Sequence, residues 1–242
     1  MQTNKMSRRM VLAALASVPA VAASACQAPA ESSQSHSFVL VHGAWHGGWC
    51  WGKVTPLLHA RGARVYAPTM TGLGERSHLA SLEITLDTHI RDIEQVLTYE
   101  DLTNVVLVGH SYAGIVITGV ANRATSRIAK LVYLDAFLPE NGQSFQDMIS
   151  GRADAPDIAT MARADPTSVQ AFGVTNAEDA QWVASRLVDQ PIGTLTAPVS
   201  FSPGAITSRG VLFTAQSFSP RRRGRQEHRD FPCTTCFPPA TR

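Results

Sequence analysis

The run VVLVGHSYAGIVI, residues 105–117, leaves this chain few ways to fold. Val105 to Val108 read as a buried strand and the residues from Ala113 onward as a helix. Only Gly109-His110-Ser111-Tyr112 remains to turn the backbone between them. A turn that sharp needs small residues two before and two after its tip, because a larger Cβ would strike the neighbouring strand or helix. Gly109 and Ala113 meet that demand around Ser111.

From Ser37 onward the chain alternates short Val-rich runs with longer segments of helical spacing. The runs are SFVLV, RVYAP, NVVLVG, KLVYLDAF and GVLFTA. Strands that are apolar on both faces belong in a mostly parallel sheet with helices on both faces, which makes the class α/β. WGKVTPLLHARG predicts a short helix ending at Gly62. LDTHIRDIEQVLTYE predicts a longer one with Ile90, Ile93, Val96 and Leu97 on one face, for which Asp87 or Thr88 is a suitable N-cap. Residues 138–200 lack strong strands and carry short amphipathic pieces such as AEDAQWVASRLVDQ. This predicts a helical cap over the carboxyl edge of the sheet, where loops build the site in open parallel sheets.

Residues 1–25 stand apart from the domain that begins at 37. MSRRMVLAALASVPAVAASAC has a basic start, a moderate apolar run interrupted by Ser17 and Pro19, and small residues at Ala23-Ser24-Ala25, as in a cleavable export signal. Arg8 and Arg9 resemble the twin-arginine signal. The expectation is a periplasmic or secreted protein with no stable membrane span after cleavage, residues 26–36 serving as a linker. A retained anchor and a lipoprotein attached at Cys26 are the alternatives. Of the four cysteines, Cys233 and Cys236 are the only obvious pair, and CTTC without a second ligand pair is weak evidence for zinc. A net charge of +2 over 242 residues supplies no field for nucleic acid, which leaves a small neutral molecule as the expected partner.

The chemistry centres on Ser111. A serine on such an elbow sits at a helix N-terminus, where the dipole and free N–H groups favour a developing negative charge. It requires an oxyanion hole made from the N–H of the following residue and one N–H from the loop after an earlier strand. FVLVHGAWHGGWCW, residues 38–51, is in the right place, so the two donors are assigned to the amides of Ala44 and Tyr112. Trp45 and His46 are candidates for the wall of an apolar pocket, whereas Trp49 and Trp51 fit core packing.

With FVLVHGAWHGGWCW, PTMTGLGERSHL, LDTHI, VGHSYAG and LVYLDAFLPENG in one chain, residues 38–139 resemble the α/β-hydrolase superfamily. Within it they are similar to the group of plant methylesterases, hydroxynitrile lyases and bacterial carboxylesterases or pyrethroid hydrolases. The resemblance implies a serine hydrolase acting on small or medium apolar carboxylic esters through an acyl-enzyme, with no metal or organic cofactor. The lyases carry a Thr at the position of Gly43 and a Lys beside the catalytic His, and neither is present here.

The resemblance weakens toward the end of the chain. The family's acid follows the strand after the cap, yet Thr214 to Pro220 contains no carboxylate. Asp135, at the end of KLVYLD, is the substitute candidate acid, and a structural role capping the next turn is the competing reading. His228 is the only His after the nucleophile and the candidate base. Residues 220–242, rich in Arg, Pro and Cys, fit neither a helix nor a buried strand. The expectation is therefore that the family's last strand and helix are missing, as after a frameshift, and that the chain is either an esterase or an impaired hydrolase fold that binds ligand without turnover.

Overall fold

The computed structural model describes residues 37–150, 156–202, 204 and 210–214, the last stretch as backbone alone. The export segment, the linker, His228, Cys233, Cys236 and the segment from 220 onward lie outside the described residues. Five strands form one sheet: β1 (Ser37–Val41), β2 (Arg64–Tyr66), β3 (Val105–His110), β4 (Ile128–Leu134) and β5 (Gly210–Thr214). Their spatial order is β2-β1-β3-β4-β5 and every pairing is parallel. Each Val-rich run of the sequence is one of these strands.

The two-residue period of the strands divides their side chains between two cores. Val39, Val41, Val105, Leu107, Leu131 and Tyr133 join the larger cluster on one face. Leu40, Val106 and Val108 join Trp51 on the other, with Phe38, Leu58, Val132 and Leu134 packed against them. A sheet covered on both faces has no solvent side, which is why its strands are apolar throughout rather than alternating.

α1 (Thr55–His59) is stopped by Gly62, whose φ of +78° is left-handed. α2 (Leu86–Tyr99) buries Ile90, Ile93 and Leu97 and leaves Val96 partly exposed. Its start differs from the expected one: the N-cap is Thr85, not Asp87 or Thr88. The Thr88 hydroxyl accepts the Thr85 amide, the reciprocal half of a capping box, and starting the helix there allows Leu86 to be buried. Asp87, within the first turn, instead pairs with Arg91 and Arg123. α3 (Ala113–Arg123) is buried from Ala113 to Ala121, as a helix that packs on the middle of the sheet must be.

Between β4 and β5 the chain forms α4 (Phe145–Ser150), α5 (Ile158–Ala162), α6 (Ala177–Ala184) and α7 (Gly193–Thr196), with a 3-10 segment at Pro166–Phe172. Short polar caps start three of these pieces: Asp157, Asp165 and Asn176 each accept backbone amides of the following turn. Phe145, Ile149, Ala162, Leu195 and Val199 then complete the larger core cluster, so the insert is packed onto the sheet domain.

Candidate active site

Strand register brings three loops together at the carboxyl edge of the sheet. Val41 pairs with Gly109, and His110 with Leu134, so the chain leaves β1, β3 and β4 side by side. Each of those exits contains a non-glycine residue at positive φ: Trp45 at +63°, Ser111 at +53° and Asp135 at +45°. Such conformations cost about 1–3 kcal/mol each and persist only where surrounding contacts enforce them.

For Ser111 the enforcing contacts are explicit. Its amide donates to the Leu134 carbonyl at 3.3 Å, and its carbonyl accepts the amides of Phe137 and Gly114, both at 3.1 Å. The small residues on either side are steric requirements, since a Cβ at Gly109 would stand 2.8 Å from the Ala113 carbonyl oxygen. The loop after β1 lies directly against this elbow: a Cβ at Gly43 would meet His110 Nδ1 at 3.1 Å and Ser111 Cβ at 3.3 Å. Ala44 and Tyr112 are buried, and among the described residues neither of their amides has a hydrogen-bond partner.

The next two residues of that loop are tied to the helical insert. Trp45 donates its amide to Gln190 Oε1 at 3.0 Å and its indole N–H to the Met161 carbonyl at 3.0 Å, and its carbonyl accepts the Val188 amide at 3.1 Å. Its ring stacks on Phe172. His46 stacks on Trp49 and meets Phe172 edge-on, and Trp49 in turn packs edge-on against Trp182 of α6. Trp51 is 7% exposed and lies within the smaller core cluster, whereas Trp49 is only half-buried and belongs to this aromatic wall.

Four imidazoles surround the elbow, all held neutral by burial. His42 is pushed down to about 3: one ring nitrogen donates to the Gly43 carbonyl and the other accepts the Met70 amide. His89 is pushed down to about 4, its Nε2 donating to the Thr71 carbonyl, which leaves Nδ1 to accept the Tyr112 hydroxyl at 3.1 Å. His46 is lowered by burial and donates to the Ala44 carbonyl at 2.7 Å. Burial also lowers His110, with His46 adding to the effect and Asp135 opposing it. His42, His46 and His89 serve as struts of the loops through these hydrogen bonds. Among the described residues no imidazole is hydrogen-bonded to the Ser111 hydroxyl.

Ser111, Ala44, Tyr112, Trp45 and His46 are thus brought together. Asp135 stands beside them, exposed at the end of β4 and close enough to raise the affinity of His110 for a proton. His228 lies outside the described residues. Sequence reasoning did not single out Gln190, Thr194, Phe172 or Trp182, because their relation to the β1 loop depends on contacts more than a hundred residues apart.

A parallel sheet whose central strand turns through a strained serine into a buried helix defines the α/β-hydrolase fold. The chain belongs to the alpha/beta hydrolase family, whose model matches residues 38–237. It is 40% identical over 199 residues to a carbendazim hydrolyzing esterase of Nocardioides, covering 76% of this chain and 81% of that one. It is 37% identical to methylesterase 2 of Arabidopsis thaliana over 118 residues, 47% of this chain and 44% of that one. Among solved structures, an Arabidopsis methylesterase is similar with a TM-score of 0.58 and 26% identity, covering 74% and 76% of the two chains. The pyrethroid hydrolase PytH shares the fold, with a TM-score of 0.56 and 23% identity over 70% and 74%.

Proposed function

We propose that this hydrolase is a serine esterase that cleaves small or medium apolar carboxylic esters. Ser111 gives its proton to the base and attacks the ester carbonyl, the amides of Ala44 and Tyr112 hold the resulting oxyanion, the ester C–O bond breaks as the alcohol leaves with that proton, and water then releases the acid from the acyl-enzyme. The observation that carries this reading is the Ser111 elbow at φ +53°, with the amides of buried Ala44 and Tyr112 on the adjoining loops lacking a partner among the described residues. Asp135 as acid and His228 as base satisfy the chain order Ser, Asp, His. The aromatic wall of Trp45, His46, Trp49, Phe172 and Trp182 supports an apolar substrate, as do relatives named as a carbendazim hydrolyzing esterase and methylesterases.

Cyanohydrin cleavage fits less well. The Thr that the lyases carry in place of Gly43 would crowd His110 and Ser111 here. The export reading rests on the N-terminal sequence, and fractionation of cells expressing the full chain, with and without Arg8 and Arg9, tests it.

Hydrolysis of a short-chain p-nitrophenyl ester by the parent chain, Ser111→Ala, Asp135→Asn and His228→Ala tests the esterase reading. Loss of turnover in all three variants supports the triad. Retention of turnover in Ser111→Ala overturns the mechanism. Ligand binding by a parent chain that does not turn over supports a binding protein instead.

A further inference from the structure

We infer that Gln190 is a positioning residue for the oxyanion hole, through which the helical insert sets the geometry of the catalytic loop. This rests on the assignment of the Ala44 and Tyr112 amides as oxyanion donors. Gln190 is 2% exposed, and its polar atoms are used at three places. Oε1 accepts the Trp45 amide at 3.0 Å, Nε2 donates to Thr194 Oγ1 at 2.7 Å, and its own amide donates to the Ala162 carbonyl at 2.7 Å. Thr194 Oγ1 donates to the Pro191 carbonyl at 2.6 Å and so must accept from Gln190 Nε2, which locks the side-chain amide in one orientation with Oε1 facing Trp45.

The consequence lies one residue away from the chemistry. Trp45 directly follows Ala44, and the peptide that carries its amide also carries the Ala44 carbonyl. At φ +63° Trp45 sits in a conformation its own preferences disfavour. The Ala44 N–H lies on the preceding peptide, whose Gly43 carbonyl is held by His42 at 2.8 Å, so with the Trp45 amide held by Gln190 both peptides flanking Ala44 are anchored and the direction of its N–H is restricted. An oxyanion donor must be aimed at where charge develops, and small errors in aim lower turnover without weakening ground-state binding.

The test uses the full chain and two readouts. Gln190→Leu removes the acceptor for Trp45; kcat on p-nitrophenyl acetate is expected to fall 10- to 100-fold with KM within about threefold. Gln190→Glu keeps an acceptor of the same length and is expected to retain more kcat than Gln190→Leu. Equal losses in both variants, or a raised KM with unchanged kcat, would overturn the positioning role. Hydrogen exchange on the wild-type chain reads the bracket without any variant: slow exchange at the Trp45 amide supports it, and exchange at the rate of an open loop overturns it. Ser111→Ala, assayed alongside, separates the two claims. If it remains active, the esterase reading fails and the role of Gln190 with it. If it is inactive while Gln190→Leu keeps the parent kcat, the positioning role fails alone.

Discussion

Gly114 lies so close to Phe137 that a Cβ on it would stand 2.1 Å from the Phe137 carbonyl oxygen. The first turn of α3 is thereby pressed onto the chain leaving β4, and Phe137 in turn donates its amide to the Ser111 carbonyl. The obstacle is backbone, which cannot swing aside. Gly114→Ala is expected to destabilise the protein by about 1–3 kcal/mol or more. At Gly119, further along the same helix, the nearest atom is the end of the Ile90 side chain. Ile90 is itself buried and must repack, a cost that the gain of about 1 kcal/mol in helix propensity partly offsets, so Gly119→Ala should destabilise less than Gly114→Ala. Urea unfolding of the two variants compares them directly, and equal losses would contradict this account.

Substitutions of Ser111 separate strain from chemistry. At φ +53° any residue with a Cβ is disfavoured by roughly 1–2 kcal/mol, and glycine is not. Ser111→Gly and Ser111→Ala are both expected to abolish ester turnover. Ser111→Gly is expected to be more stable than Ser111→Ala by about 1 kcal/mol, the reverse of the ranking inside a helix. Thermal or urea unfolding shows which order holds.

Gly43→Thr imports the side chain found in the lyases. With His110 Nδ1 and Ser111 Cβ at 3.1 and 3.3 Å from the added Cβ, the β1 loop and the elbow must separate by a few tenths of an ångström. The expected outcome is at least a tenfold loss of esterase kcat with no cyanohydrin cleavage gained, on the order expected when an oxyanion donor is displaced. Benzaldehyde release from mandelonitrile, measured beside p-nitrophenyl acetate hydrolysis, checks both halves.

Stability should fall as the solution is acidified below neutrality. His42 at about 3 and His89 at about 4 stay neutral when folded, while in the unfolded chain both regain the ordinary value near 6.5. From about pH 6.5 down to 4 the unfolded state therefore binds protons that the folded state refuses. The stability present above pH 6.5 is lost at up to ~1.4 kcal/mol per pH unit for each histidine. Unfolding free energies measured at pH 7, 6 and 5 should show this slope. His89→Gln should reduce it by about one proton, and an unchanged slope in that variant would show that His89 is not its source.

Much of the fold was legible because strands and helices announce themselves locally. Five Val-rich runs became five parallel strands, and Gly109, Ser111 and Ala113 specified the elbow, since its steric demands fall on residues two apart. The N-cap of α2 is Thr85 rather than Asp87 or Thr88, because three residues able to cap a helix stand within four positions. The choice between them follows from burying Leu86, a tertiary term. Trp49 and Trp51 read alike in sequence, yet one entered the core and the other the aromatic wall, because only the sheet and α6 decide what each ring meets.

By itself, then, the sequence determined the class of fold, the strained serine and the bare glycine loop, because each depends on backbone sterics within a few residues. Tertiary structure alone decided that Trp45 is held by Gln190, that Tyr112 meets His89, and that four histidines are kept neutral. Those relations join segments distant in the chain. Their energies come from burial and from hydrogen bonds that exist only once water has been excluded from between the insert and the sheet.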